Sequence, residues 1–84
     1  MFGFKKKCTI AVEEKNAGQV ITALVEENLG ASISIDYRDD NDTAYVYEFY
    51  ARKDQYWTIV DKLKEAGVEI PYWDNFGEIT WRRP

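Results

Sequence analysis

The sequence predicts an α+β fold: an antiparallel sheet of four strands carrying two helices on one face, with a further strand added at the end. Three observations predict it. Apolar residues alternate in "KCTIAVE", "ASISIDYR" and "DTAYVYEFYAR", which is the period of strands. They recur at helical spacing in "NAGQVITALVEENLG" and "KDQYWTIVDKLKEAG". A shift of 37 residues lays Gly30 on Gly67, Ile33 on Ile70 and Val20 on Trp57, so the chain reads as two strand–helix–strand halves. Two such halves joined by a hairpin describe the ferredoxin-like βαββαβ arrangement.

The first strand, Lys7 to Glu13, puts Cys8, Ile10 and Val12 on one face. In the first helix, Ala17 to Leu29, Asn16 stands as N-cap with Gln19 three residues on, a capping-box spacing. Ala17, Val20, Ile21, Leu24 and Val25 form its apolar face, and Gly30 is the expected left-handed residue beyond its end. The second strand sets Ile33, Ile35 and Tyr37 on one side before the turn-forming "DDND". In the second helix Asp54 serves as cap or first-turn acid, Tyr56, Trp57, Val60 and Leu63 form a face, and Gly67 is the stop.

The third strand poses the main ambiguity, because Tyr45, Tyr47 and Phe49 could serve either a core or a stacking platform. The repeat aligns them with Cys8, Ile10 and Val12, which points them under the helices. Glu48, on the alternate face with Ala44, Val46 and Tyr50, agrees, since an unpaired charge is almost never fully buried. The tail, "GVEIPYWDNFGEITWRRP", exceeds one strand and carries a turn at "DNFG". A C-terminal hairpin follows, with Pro71 marking an edge, bulge or break.

These elements make one domain over 1–84: a short lead at 1–6, a βαββαβ core at 7–70 and the hairpin extension at 71–84. A chain of this size buries roughly 60 to 65% of its unfolded surface, enough for a single core. Any ligand then sits on an edge or between subunits. Net charge is −4, against the clustered cations that phosphate-backbone binding requires, although Lys5, Lys6 and Lys7 with Arg82 and Arg83 could make a small basic corner. The single cysteine, Cys8, reads as a small core hydrophobe. With no run near the ~18 apolar residues of a membrane span and no leader pattern, the expected location is cytoplasmic.

Catalytic and metal chemistry find little purchase. The chain has no histidine, the commonest base near neutral pH and the commonest zinc ligand. "DYRDDND" is acidic, yet counting from Asp36 the sixth and twelfth places of a calcium loop fall on Asn41 and Tyr47 in place of Gly and Glu. Its five glycines are scattered, so no phosphate-binding loop forms. We expect no catalytic residues, no cofactor and no metal. RNA-recognition domains share this architecture, but "TAYVYEFY" lacks the glycines and the preceding cation of their third-strand motif.

In its first strand, turn and first helix, "TIAVEEKNAGQVITALVEENLGASISI", the chain resembles the ACT family of small regulatory domains. The resemblance implies that Gly18 matches the family's loop glycine and that Asn16, Ala17, Gly18 and Gln19 line a small-ligand site at a subunit interface. Amino-acid sensing comes into view on the same basis. Gly18 could equally serve only to ease the helix start.

Two functional readings stand. The first is a non-enzymatic regulatory or sequestering domain that binds a small polar ligand at a homodimer interface. The second is an adaptor or inhibitor docking on another protein through an aromatic open face, for which Val46, Tyr50, Trp73 and Trp81 are the candidates. A homodimer is the expected assembly, since two-fold dimers are the commonest oligomers.

Overall fold

The computed structural model describes residues 4–39 and 42–70. Strand β1 (Lys6–Glu13) runs into a 3₁₀ turn (Glu14–Asn16) and helix α1 (Ala17–Glu26); β2 (Ser32–Asp39) and β3 (Asp42–Ala51) follow, then helix α2 (Lys53–Glu65). The strands make an antiparallel sheet in the order β1-β3-β2. The fold is therefore α+β, three antiparallel strands and two helices. The expected fourth strand, the C-terminal hairpin, Pro71, Trp73 and Trp81 lie outside the described residues.

Register fixes which side chains share a face. Cys8, Ile10 and Val12 stand opposite Phe49, Tyr47 and Tyr45, and all of these pack under the helices. Tyr47 and Phe49 are buried, as the repeat required, and Tyr45 is half-buried at the core's margin. α1 contributes Val20, Ala23 and Leu24 to this core, and α2 contributes Tyr56, Ile59, Val60 and Leu63. Buried hydroxyls need partners; Tyr47 donates to the Ala17 carbonyl at 3.2 Å, which ties β3 to the start of α1.

Helix α1 departs from its sequence reading at both ends. The Asn16 side chain makes no capping bond, because the chain enters the helix through a 3₁₀ turn that already directs its backbone. The helix stops at Glu26, and the left-handed residue is Asn28 (φ 57°), not Gly30. Asn28 donates to Val25 O at 3.0 Å and Leu29 to Leu24 O at 2.9 Å, the paired bonds of a Schellman stop. Asparagine tolerates this backbone better than other residues with a side chain.

Helix α2 ends in the same way, with Gly67 (φ 82°) left-handed, Gly67 donating to Lys64 O at 3.0 Å and Val68 to Leu63 O at 2.9 Å. Equivalent stops thus fall at Asn28 and Gly67, 39 residues apart. On that spacing Glu14–Glu26 matches Lys53–Glu65, Leu24 matches Leu63, and Cys8 and Ile10 match Tyr47 and Phe49. The repeat is real but two residues longer than the glycines suggest. A shift of two preserves strand facing, so the assignment of Tyr47 and Phe49 to the core is unaffected.

At the start of α2 the Arg52 backbone N–H donates to the Gln55 carboxamide at 3.0 Å. An arginine side chain has no acceptor to return that bond, so only half of a capping box exists. Asp54 lies in the first turn, as expected, where its charge suits the helix dipole.

Candidate functional site

The turn between β1 and α1 is built on two tyrosines from β3. Tyr47 reaches the Ala17 carbonyl, and Tyr45 stands near the Glu14 carboxylate. Tyr45 is held above the usual phenol range, first by desolvation and then by the negative charge of Glu14. Desolvation likewise raises Tyr47. Glu13 and Lys15 pair across the turn at 3.6 Å. The chain is thereby held where it enters α1, and Asn16 and Ala17 are half-buried in this support.

Gly18 and Gln19 face elsewhere. They are exposed and, with Thr22, Ala23 and Glu26 of α1 and Lys62, Leu63, Glu65 and Ala66 in and just beyond α2, they line an open cleft of about 550 Å³ between the helices. Small residues make the room: a Cβ built at Gly18 would meet nothing within 4 Å. The Thr22 hydroxyl donates to the Gly18 carbonyl at 3.0 Å. Lys62 bridges the helices, 3.0 Å from Glu26 and 3.5 Å from Glu27. The hydrogen bond to Glu26 is the main reason its ammonium is held above the usual lysine range. Lys62 pairs with Glu26 and Glu27, and the charged residues of the cleft lining are Glu26, Glu65 and Lys62, a surplus of one negative charge.

Of the four residues that sequence reading placed at a ligand site, two line this cleft and two support the turn beneath it. Thr22, Glu26, Lys62 and Glu65 were not anticipated. Gly18, Thr22 and Glu26 are four residues apart along one helix line, but that spacing reads as an ordinary solvated flank until the second helix is seen beside it.

Of the residues expected on the second sheet face, Val46 and Tyr50 are described, and Trp73 and Trp81 lie outside the described residues. Val46 lies on that face, but is buried at 6% exposure with Ala11 and Ala44, and so offers no contact surface. Tyr50 is exposed at 61%, and Glu48 pairs with Lys7 at 3.2 Å. Cys8 is buried, its thiol donating to the Lys6 carbonyl. Among the described residues no group of three or more metal-ligating side chains comes together, and no helix is long and apolar enough to cross a membrane.

Comparisons with protein-family models, with curated proteins and with solved structures return no match.

Proposed function

We propose that this chain is a non-enzymatic binding domain of the cytoplasm that holds a small polar ligand bearing a positive charge in the cleft between α1 and α2. The observation that carries this reading is the cleft itself, open at Gly18 and rimmed by Glu26, Lys62 and Glu65. Its 550 Å³ falls within the roughly 300 to 1,000 Å³ of small-molecule sites. Two carboxylates to one lysine in the lining, Glu26 and Glu65 with Lys62, favour an ammonium group, and the lysine and Gln19 suit a carboxylate or carbonyl on the same molecule. A free amino acid has that chemistry, in keeping with the ACT-like character of the β1–α1 segment.

The same proposal takes the full fold to be ferredoxin-like. The outer edge of β1 pairs with no strand among the described residues, and it is where a fourth strand of that topology belongs. Regulation or sequestration, with no catalytic step, suits a cleft without histidine or a reactive cysteine in its lining. Tyr50 is the described residue that favours the second reading, a protein-docking face.

Titration of the isotopically labelled protein with single amino acids and small diamines tests the ligand reading. At least one should move the amide signals of Gly18, Gln19 and Thr22 saturably, and Gly18→Trp should abolish the effect by filling the cleft while leaving the rest of the spectrum in place. No saturable movement with any member of the panel, or an unchanged response in Gly18→Trp, would remove the cleft from consideration.

A further inference from the structure

The described residues leave seven large hydrophobic side chains exposed, among them Ile33 (52%), Ile35 (44%) and Tyr37 (72%) on β2 and Ile21 (45%) and Val25 (69%) on α1. Register places the three β2 residues opposite Tyr47, Tyr45 and Thr43, so they project from the face that carries the helices. They are exposed nonetheless, so α2 does not lie over β2. α2 meets α1 along the flank of Gln19, Thr22 and Glu26. At about 100° per residue, Ile21 falls on the flank away from Gln19 and Glu26, and Val25, seven residues from Gly18, falls on the outer face of the helix. Ile33, Ile35 and Tyr37 thus form an exposed apolar row along β2.

β2 is also an edge strand, since β3 is its only neighbour in the sheet among the described residues. Proteins blunt exposed edges with lysine, proline or very short strands. β2 runs for eight residues, "SISIDYRD", without a proline or a lysine; its register shifts between Tyr37 and Asp39, which leaves Ser32 to Tyr37 as the regular part of the edge, with Asp36 its one charge.

The order of side chains in β2 points to its occupant. About Ile35 the pattern is the same in both directions, with Ile33 and Tyr37 two residues away and Ser34 and Asp36 one residue away. We infer that β2 pairs antiparallel with β2 of a second copy about a two-fold axis at Ile35, extending the sheet across two chains. In this register Ile35 faces Ile35, Ile33 faces Tyr37 and Ser34 faces Asp36, so no like charges oppose. A slip that centres the axis on Asp36 would set Asp36 against Asp36, which is destabilising, and one that centres it on Ser34 would oppose Tyr37 to Ala31, outside the strand. One sequence satisfies both sides of the contact, as an isologous interface requires. The inference rests on exposure, register and charge at this edge and does not depend on the ligand reading.

Sedimentation of the full chain across a wide concentration range tests it. The chain should associate to twice its 9.8 kDa mass, and Ile35→Lys should weaken that association by about tenfold or more while leaving the circular dichroism and melting of the protomer intact. Cross-linking checks the register: in a Cys8→Ala background, Ile35→Cys should give a covalent dimer on mild oxidation and Tyr50→Cys should not. A monomer throughout, an association unaffected by Ile35→Lys, or equal cross-linking at both positions would overturn the proposal.

Discussion

Tyr47 shows how single side chains couple the core to the candidate site. Its ring is fully buried between sheet and helices, and its hydroxyl holds the Ala17 carbonyl. Tyr47→Phe keeps the ring and removes one hydrogen bond, so chemical denaturation should register a loss of about 0.5–1.5 kcal/mol. Asp54 is a second local case. The Arg52 guanidinium beside it, at 3.2 Å, holds its carboxyl below the ordinary aspartate range. Because the folded value is depressed, the contribution is present above the unfolded value and is lost as pH falls through the folded one. The pair is exposed and screened, so the test is a direct carboxyl titration: Asp54 should titrate below an ordinary aspartate, and Arg52→Ala should return it upward. The inward placing of Tyr47 and Phe49 was legible because alternation and the charge at Glu48 agree. The burial of Val46 was not, since alternation assigns a face without saying what lies over it.

The helix stops show the limits of reading an element from its residue types. Gly30 and Gly67 both look like left-handed terminators, and only Gly67 is one. Asn28 takes that role in α1, because Leu29, the next residue, has to reach back over Leu24 to pack on the core. The backbone follows the apolar contact, and asparagine accepts the conformation. Gly67→Ala, which forces a side chain into positive φ, should cost about 1–2 kcal/mol. Gly30→Ala meets open space and has no positive φ, so its effect should stay within about 0.5 kcal/mol. Equal losses in thermal or denaturant unfolding would restore the 37-residue repeat that the glycines suggest. The exposed Ile21 and Val25 have a similar lesson: helical periodicity marks them apolar, but they stand outside the arc of Val20, Ala23 and Leu24 that packs on the core.

At the scale of the molecule, strand alternation, helical spacing and an internal repeat made the α+β architecture legible, because each reports a local rule that packing obeys. The cleft was legible only at Gly18 and Gln19, since Lys62 and Glu65 reach it through the packing of two helices that no short sequence window contains. Binding in that cleft is the central claim, and the most direct test is native mass spectrometry of the gently purified full chain beside its Gly18→Trp variant. A small adduct of amino-acid size is expected on the unmodified chain and none on the variant. A chain that carries no adduct, or one that carries the same adduct after Gly18→Trp, would contradict that claim.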